Sequence, residues 1–572
     1  MSIIAIALAV VVFVWANNQS RKEQSLHPMP TPPAAEATAS PAASPAPTVS
    51  TAEKAEPLPL STVAAKPAVT IPEEKKTVGT PFVDYAFTNL GGGISSLTLL
   101  KHQGGQPGEK MVLNSAATHP IGALLLKPDA LDADGYAVTV EGDRVICEKT
   151  VPPGVQVRKT YTLGSKKGEE YRVALEVAFT NRTEAPVEHP GYYLFVGAAA
   201  PIHSADLPIY IGFDWYDGKS NAFIMPNWFT PSKIPLVGVE TAPGKSAYVE
   251  SPGNVVWAGV RDQYFTTMLL PVGGVAKGVW ARPLEVKMDS KELKGMEGFL
   301  EMPGFKLNAG ESVTKRFTIY AGPAEYRQLG ALGSGAVEMM NLDRWWITRN
   351  VGAILLRSMN WLQGFFHSYA LAIVVLTFIV RGALWPIQGR ANQSMKKMQL
   401  LQPKMKELQE KYKDDPAKMN QEVMQLYKDY GANPLSGCLP MLIQIPIFIG
   451  FYSMLGTAVE LRNQGFWWVH DLSRPDTLFH FAGVPVNILP LAMAGTMIWQ
   501  MQLTPKAGDP AQQKMMMFMP LIFVFVTYNF ASALALYYTV QNILSIIQLY
   551  ATRNQPMPEL VKVGVANKKN RR

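Results

Sequence analysis

The chain runs to 572 residues, 48% hydrophobic and only 17% charged, with a formal net charge of +8. That length excludes a single domain, and an apolar content so high beside so little charge excludes a wholly soluble protein. The basic residues gather beside apolar runs, where the preference of Lys and Arg for the cytoplasmic side of a membrane explains them, so DNA is not an expected partner. Cys147 and Cys438 are the only cysteines, one in a soluble segment and one in an apolar helix, which rules out a disulfide framework or a Cys-rich metal site.

The first apolar run, Ile3 to Ala16, reads as a transmembrane anchor over 1–16 or as the apolar stretch of a signal peptide. Val14-Trp15-Ala16 fits a cleavage site only loosely, and no Cys follows to carry a lipid. No Lys or Arg precedes the run, so a few further residues are expected upstream. From 17 to 79 the chain is Pro, Ala, Ser and Thr with scattered charge and no aromatic residue, too little apolar surface to fold, and a flexible tether is expected.

Over 80–340 the period changes to two. Tyr171, Val173, Leu175, Val177 and Phe179 share one face of a half-buried strand, and similar strands are expected around 137–147, 155–163, 255–260 and 313–320 between Gly, Pro and Asn turns. A large external all-β sandwich follows. Gly244-Lys245-Ser246 resembles the end of a phosphate loop, but Val239 stands where the first glycine belongs. None of the eight histidines has a metal-ligand spacing, so no catalytic residue, metal or cofactor is assigned.

After that the pattern turns helical. An amphipathic helix over 341–366, carrying Trp345, Trp346, Trp361, Phe365 and Phe366, is expected to lie in the membrane interface. A five-helix core over 367–550 follows, with crossings near 367–387, 435–459, 484–502, 515–530 and 532–550. Nine Lys/Arg in 388–433 and six in the 551–572 tail, against two in 461–483, put the tail and the 388–433 segment in the cytoplasm and the β-domain outside. An external β-domain then requires the first apolar run to cross as well.

Within 388–433, Met395, Met398, Leu401, Met405, Leu408 and Tyr412 form one helical stripe, and Met419, Val423, Leu426 and Tyr430 a second. Asp415 with Pro416 starts the second helix and Gly431 ends it, giving an antiparallel hairpin with Lys404 and Lys406 on its basic side. Methionine suits a surface that accepts varied apolar partners, and Met515, Met516, Met517 and Met519 repeat the theme, although such residues also serve as core.

Arg381 carries the most information. It lies near the end of an apolar run that is otherwise free of charge, and a guanidinium in hydrocarbon costs roughly 2.5 to 3.5 kcal/mol on insertion scales. A polar intramembrane cavity is one reading; snorkelling toward the Trp385-Pro386 end is the other. Polar residues recur along the crossings, among them Thr377, Gln444, Asn487, Thr527, Tyr537, Tyr538, Gln541 and Asn542. Each alone reads as an interhelical hydrogen bond, and together with Arg381 they would line a wet groove.

The combination of Thr377-Phe378-Ile379-Val380-Arg381-Gly382, the basic hairpin, the run Asn433 to Phe448 with Pro434, Pro440, Gln444 and Pro446, and Leu536-Tyr537-Tyr538-Thr539-Val540-Gln541-Asn542 resembles the YidC-type membrane protein insertases of Gram-negative bacteria, in the YidC/Oxa/Alb family. The likeness covers about 367–550 closely, and the tether and β-domain resemble the periplasmic part of those proteins. It implies an α-helical polytopic bundle, a five-helix core plus an N-terminal anchor, in the inner membrane. Arg381 would then be the groove arginine that draws in polar, often acidic, substrate segments, with Thr377, Tyr538 and Gln444 lining the groove. Leu439, Leu442, Ile443, Phe448, Met516, Met519 and Phe523 would form a slide for the incoming apolar segment. Met398, Met405, Lys404 and Lys406 would receive substrates at the hairpin. Implied partners are nascent membrane proteins, the Sec translocon, the lipid bilayer, and the ribosome through hairpin and tail, with no nucleotide hydrolysis.

Two other classes stand beside this one. A small-solute transporter or channel would also bury Arg381, but would show internal repeats or paired helix breaks, and neither is present. A membrane-anchored sugar-processing enzyme would need paired external carboxylates, for which Asp214, Asp217 and Asp262 are the candidates by position.

Overall fold

The computed structural model describes residues 71–572 except 107, 131–134, 205, 234–239, 289, 341–345, 414, 432–433, 482–483, 505–509 and 554–572. The expected anchor, most of the tether and nearly all of the basic tail lie outside the described residues.

The N-terminal half is built of antiparallel strands. A nine-stranded sheet has Arg172–Asn181 near its middle, where Val173, Leu175, Val177 and Phe179 are buried in strict alternation. Its neighbours Val155–Leu163 and Ser312–Pro323 place Tyr161 and Phe317 opposite Leu175. A five-stranded sheet centred on Lys291–Leu307 forms the second layer. Phe213 of the first sheet rests its ring on Gly298 of the second, so close that a β-carbon there would lie 2.2 Å from the ring. A four-stranded sheet packs against the first layer through Phe87 and Tyr161, ring centroids 5.2 Å apart.

Two expectations here need correction. Residues Lys75–Gly79, assigned to the tether, are an edge strand paired with Val83–Thr88. The strand has no apolar alternation and carries lysines, as exposed edges do, so backbone pairing rather than burial holds it. The single strand expected over 137–147 is a hairpin, Ala137–Glu141 and Arg144–Val151, reversed at Gly142 with φ of 62°.

Helices follow: α1 Tyr326–Leu332, α2 Trp346–Phe366, α3 Tyr369–Lys411, α4 Pro416–Asp429, α5 Pro434–Thr457, α6 Ile488–Leu503, α7 Pro510–Thr527 and α8 Ser532–Arg553. α2 buries Leu355, Leu356, Met359 and Leu362 and leaves Ile354, Trp361 and Phe365 exposed beside Asn350 and Arg357, so its outer side mixes large apolar and polar residues. Ser368 caps α3 by accepting from the amide of Leu371. α3 then runs 43 residues without interruption, through Pro386 and Pro403. The first crossing and the first hairpin helix, expected as separate elements, are therefore one rod. Proline removes one amide from the ladder, and at Pro386 the neighbouring α8, whose Gln548 bonds the Trp385 carbonyl, flanks the helix as it continues. The third crossing is also corrected: 484–487 is the strand Val484–Asn487, paired with Thr477–Phe481, and the helix begins at Ile488.

The sandwich and the bundle share one continuous apolar core and are fastened by polar bonds. Arg462, in the segment after α5, donates to the carbonyls of Gln103 and Gly104. Gln263 Nε2 donates to Gly456 O at 2.6 Å, and the Tyr264 hydroxyl reaches Ser473 O at 3.3 Å.

Candidate functional site

Five helices, α3 and α5 to α8, turn large apolar side chains outward: Phe378, Leu442, Trp499, Leu521, Ile547 and, at 85% exposed, Phe525 of α7. Water disfavours so broad an apolar belt, and hydrocarbon suits it. Among the described residues, α3 is the helix long and apolar enough to cross a membrane on length and composition alone. α6, at 16 residues, spans about 24 Å at 1.5 Å per residue, somewhat less than a typical hydrocarbon core.

The polar groups lie inside this belt, and α8 organises them. Tyr537, Gln541, Ser545, Gln548 and Thr552 recur at spacings of three and four, hence on one helix face. Arg381 of α3 meets that face. Its side chain is 7% exposed, and Nη2 donates to Ser545 Oγ at 2.6 Å, with Gln548 Oε1 at 3.5 Å. Nε finds no partner among the described residues, and no carboxylate there pairs with the guanidinium. Gln548 is itself oriented by donating to Trp385 O at 3.1 Å. The arginine is thus turned into the bundle and held by neutral acceptors, which rules against the snorkelling reading.

One turn and more away, Gln444 of α5 donates to the Tyr537 hydroxyl and to Gln541 Oε1, both at 3.2 Å. Asn542 donates to Thr496 Oγ1 of α6 at 3.2 Å. The result is a polar seam along α8, contacted by α3, α5 and α6. Thr377 is buried, but its hydroxyl bonds the Ile373 carbonyl of its own helix at 2.7 Å. Tyr538 turns to the other side, where its ring meets Phe448 at 5.3 Å and Phe523 at 5.0 Å. Arg381 and Gln444 therefore reach the same seam, whereas Tyr538 joins the apolar residues Phe448 and Phe523. Leu442 is exposed and Ile443 half-buried on α5; the side chains of Leu439, Met516 and Met519 lie outside the described residues.

In the hairpin, Asp415 Oδ1 accepts from Lys418 N at 3.0 Å and Pro416 opens α4. Leu401 and Tyr427 form a small core with Met398, Met405, Val423, Leu426 and Tyr430 around them. The Tyr427 hydroxyl contacts Met405 Sδ at 3.0 Å. Lys404 bonds the Tyr430 hydroxyl, and Lys406 points to solvent.

The external carboxylates do not converge on a cleft. Asp214 is fully buried and ion-paired with Arg261 at 3.0 Å. Asp262 accepts from the amides of Tyr264 and Phe265 at 2.8 and 2.9 Å, and burial pushes it up to about 7. Asp217 lies in an exposed turn, held low by the amides of Ser220 and Lys219.

Sequence reasoning missed Ser545 and Gln548, because single Ser and Gln residues in an apolar helix carry little signal. Their placement at positions four and seven after Gln541 was the available clue.

An apolar belt around a buried cation and a polar seam, fastened to an extramembrane β-sandwich, defines a polytopic membrane protein with a polar site between its helices. The family model described as 60Kd inner membrane protein matches residues 361–559, and the one described as YidC periplasmic domain matches 75–348. The membrane protein insertase YidC of Syntrophus aciditrophicus is 31% identical over 507 residues, covering 84% of this chain and 85% of that one. The membrane protein insertase YidC of Pelobacter propionicus is 33% identical over 500 residues, covering 84% and 86%. A crystal structure of an active YidC insertase with its first transmembrane domain resolved aligns at 19% identity and a TM-score of 0.35, covering 86% of this chain and 94% of that one. The chain belongs to the YidC family of membrane protein insertases. As a member it is an inner membrane protein with a periplasmic domain.

Proposed function

We propose that this protein moves hydrophobic segments of newly made proteins into the inner membrane, and aids their folding, by way of the seam around Arg381. The observation that carries the reading is a buried guanidinium with neutral partners only, an arrangement that leaves its charge for a visitor. A polar or acidic tail entering from the cytoplasm meets that charge inside the belt, which shortens its path through hydrocarbon. The attached apolar segment moves along Leu442, Ile443, Phe448 and Phe523 into lipid, where each Leu or Ile returns about 0.3 to 0.6 kcal/mol. No nucleotide is needed for a process that runs downhill in this way. The protein then acts as a chaperone rather than a catalyst. The hairpin and the C-terminal tail face the cytoplasm, where their lysines and arginines meet substrates and the ribosome, and the bundle works alone or beside the Sec translocon.

The test is insertion of a short single-span protein with an acidic external tail into proteoliposomes holding the full chain, scored by protease protection. Arg381→Lys should retain more insertion than Arg381→Ala, and the gap should shrink when the tail is made neutral. Equal insertion by both variants and the parent would remove Arg381 from the mechanism. Protection no higher than in empty liposomes would overturn the insertase reading itself.

A further inference from the structure

The hairpin of Thr477–Phe481 and Val484–Asn487, between α5 and α6, has no role in the mechanism above. Its register pairs Phe481 with Val484 and Phe479 with Val486. Because side chains alternate along a strand, these four share one face, while His480 and Pro485 take the other. Among the described residues no sheet or helix is laid over that apolar face, and Phe481 is 72% exposed.

This ribbon is not a loose loop. A lone two-stranded hairpin is marginally stable in water, but this one is fastened at its base. Asn487 accepts from Thr477 Oγ1 at 2.7 Å and donates to Tyr528 O at 2.8 Å, and the Tyr528 hydroxyl donates to Pro485 O at 2.7 Å. Asp476 Oδ2 accepts both from Leu489 N, at the start of α6, and from Trp468 Nε1. Next to that indole, Trp467 is 79% exposed and sits at φ of 54°, a conformation uncommon for a bulky residue, with its ring stacked on Phe466. A rigid base thus presents aromatic side chains outward at a backbone cost.

What covers them follows from what they adjoin. The second strand runs directly into α6, whose first turn exposes Leu491, and Tyr528 directly follows α7, whose last turn exposes Phe525. The hairpin's exposed apolar side chains therefore adjoin, through the chain and through the Asn487 and Tyr528 bonds, the ends of two helices that expose apolar residues. Trp at the end of a membrane helix favours the headgroup level, and Phe on an apolar face sits at the boundary between headgroups and acyl chains. We propose that Phe479, Phe481, Val484, Val486 and Trp467 form an interfacial lipid anchor, seated among the headgroups at the periplasmic end of α6 and α7. The proposal depends on the reading of the bundle as membrane-spanning with its β-domain on that side.

The full chain, with Cys147→Ala and Cys438→Ala as background, would carry a small fluorophore at Phe481→Cys, His480→Cys or Phe525→Cys, one at a time, in phosphatidylcholine and phosphatidylglycerol vesicles. Expected at Phe481 is strong quenching by a nitroxide on the headgroup, several-fold weaker quenching by one at mid-chain, and protection from aqueous iodide. His480, on the opposite face, should be reached by iodide. Iodide quenching at Phe481 as full as at His480 would overturn the anchor, and so would protection from iodide together with no quenching by either lipid, which would mean a protein cover. The Phe525 probe separates the two levels. If it is quenched by lipid while Phe481 is not, the anchor fails and the membrane-spanning reading stands; if Phe525 is not quenched, that reading fails too.

Discussion

Ser545→Ala tests whether α8 holds the arginine or merely passes it. The hydroxyl accepts from Arg381 Nη2 at 2.6 Å and spends its own proton on Gln541 O at 2.8 Å. Without it, what remains on Nη2 is the 3.5 Å approach to Gln548, at the edge of hydrogen-bond range. A hydrogen bond to a charged group contributes about 1.5 to 3 kcal/mol, and alanine recovers a few tenths through its better helix propensity. The net expected loss is about 1 to 2.5 kcal/mol. With Arg381→Met already present there is no charge to hold, and the same substitution should be neutral or slightly stabilising. Unfolding of the full chain and the three variants in detergent closes the cycle, and a coupling of about 1.5 to 3 kcal/mol is expected. If Ser545→Ala destabilises equally with and without Arg381, the hydroxyl does not hold the guanidinium and the seam as described is wrong.

Glu325, preceding α1, is pushed up to about 7 by burial and then by the carboxylates of Glu460 and Glu170. The folded chain therefore holds this proton more tightly than the unfolded one, so the stability it contributes is present in acid and is lost as pH rises from about 4.5 to about 7. At about 1.4 kcal/mol per pKa unit the loss is on the order of 3 kcal/mol. Glu325→Gln should flatten the fall in melting temperature between acid and mild alkali, and parallel profiles for the two proteins would exclude the assignment. Gly298→Ala should destabilise the sandwich by about 1 to 3 kcal/mol, since its β-carbon would stand 2.2 Å from the Phe213 ring. Urea unfolding of the full chain measures the loss, and Phe213→Leu in the same chain should restore part of it; no loss, or none restored, would place the two sheets differently.

Much of the architecture was legible because burial writes a period into the sequence. The alternation of Val173, Leu175, Val177 and Phe179 survives in the structure residue by residue, since one face of that strand meets the core. Asp415, Pro416 and Gly431 bound α4 as their backbone preferences require. Lys75–Gly79 was unreadable for the converse reason: an edge strand held by one neighbour's backbone needs no apolar face. The reversal at Gly142 and Asp143 did carry a hairpin signal, submerged in the β-rich residues on both sides. At the site, Arg381 stood out because its charge has no local excuse. Its holders did not, because Ser545 and Gln548 are distant in the chain, and only packing of α3 against α8 brings them to it.

The unbroken helix α3 carries both Arg381 and Lys404. Twenty-three residues separate them, about 35 Å of rod at 1.5 Å per residue. The two side chains therefore sit on one hydrogen-bonded helix, with no loop between the hairpin and the polar seam. A change in the tilt of the hairpin end of this helix is then a change in the same element that α8 holds through Arg381, so the two positions are joined by backbone hydrogen bonds rather than by a flexible connection.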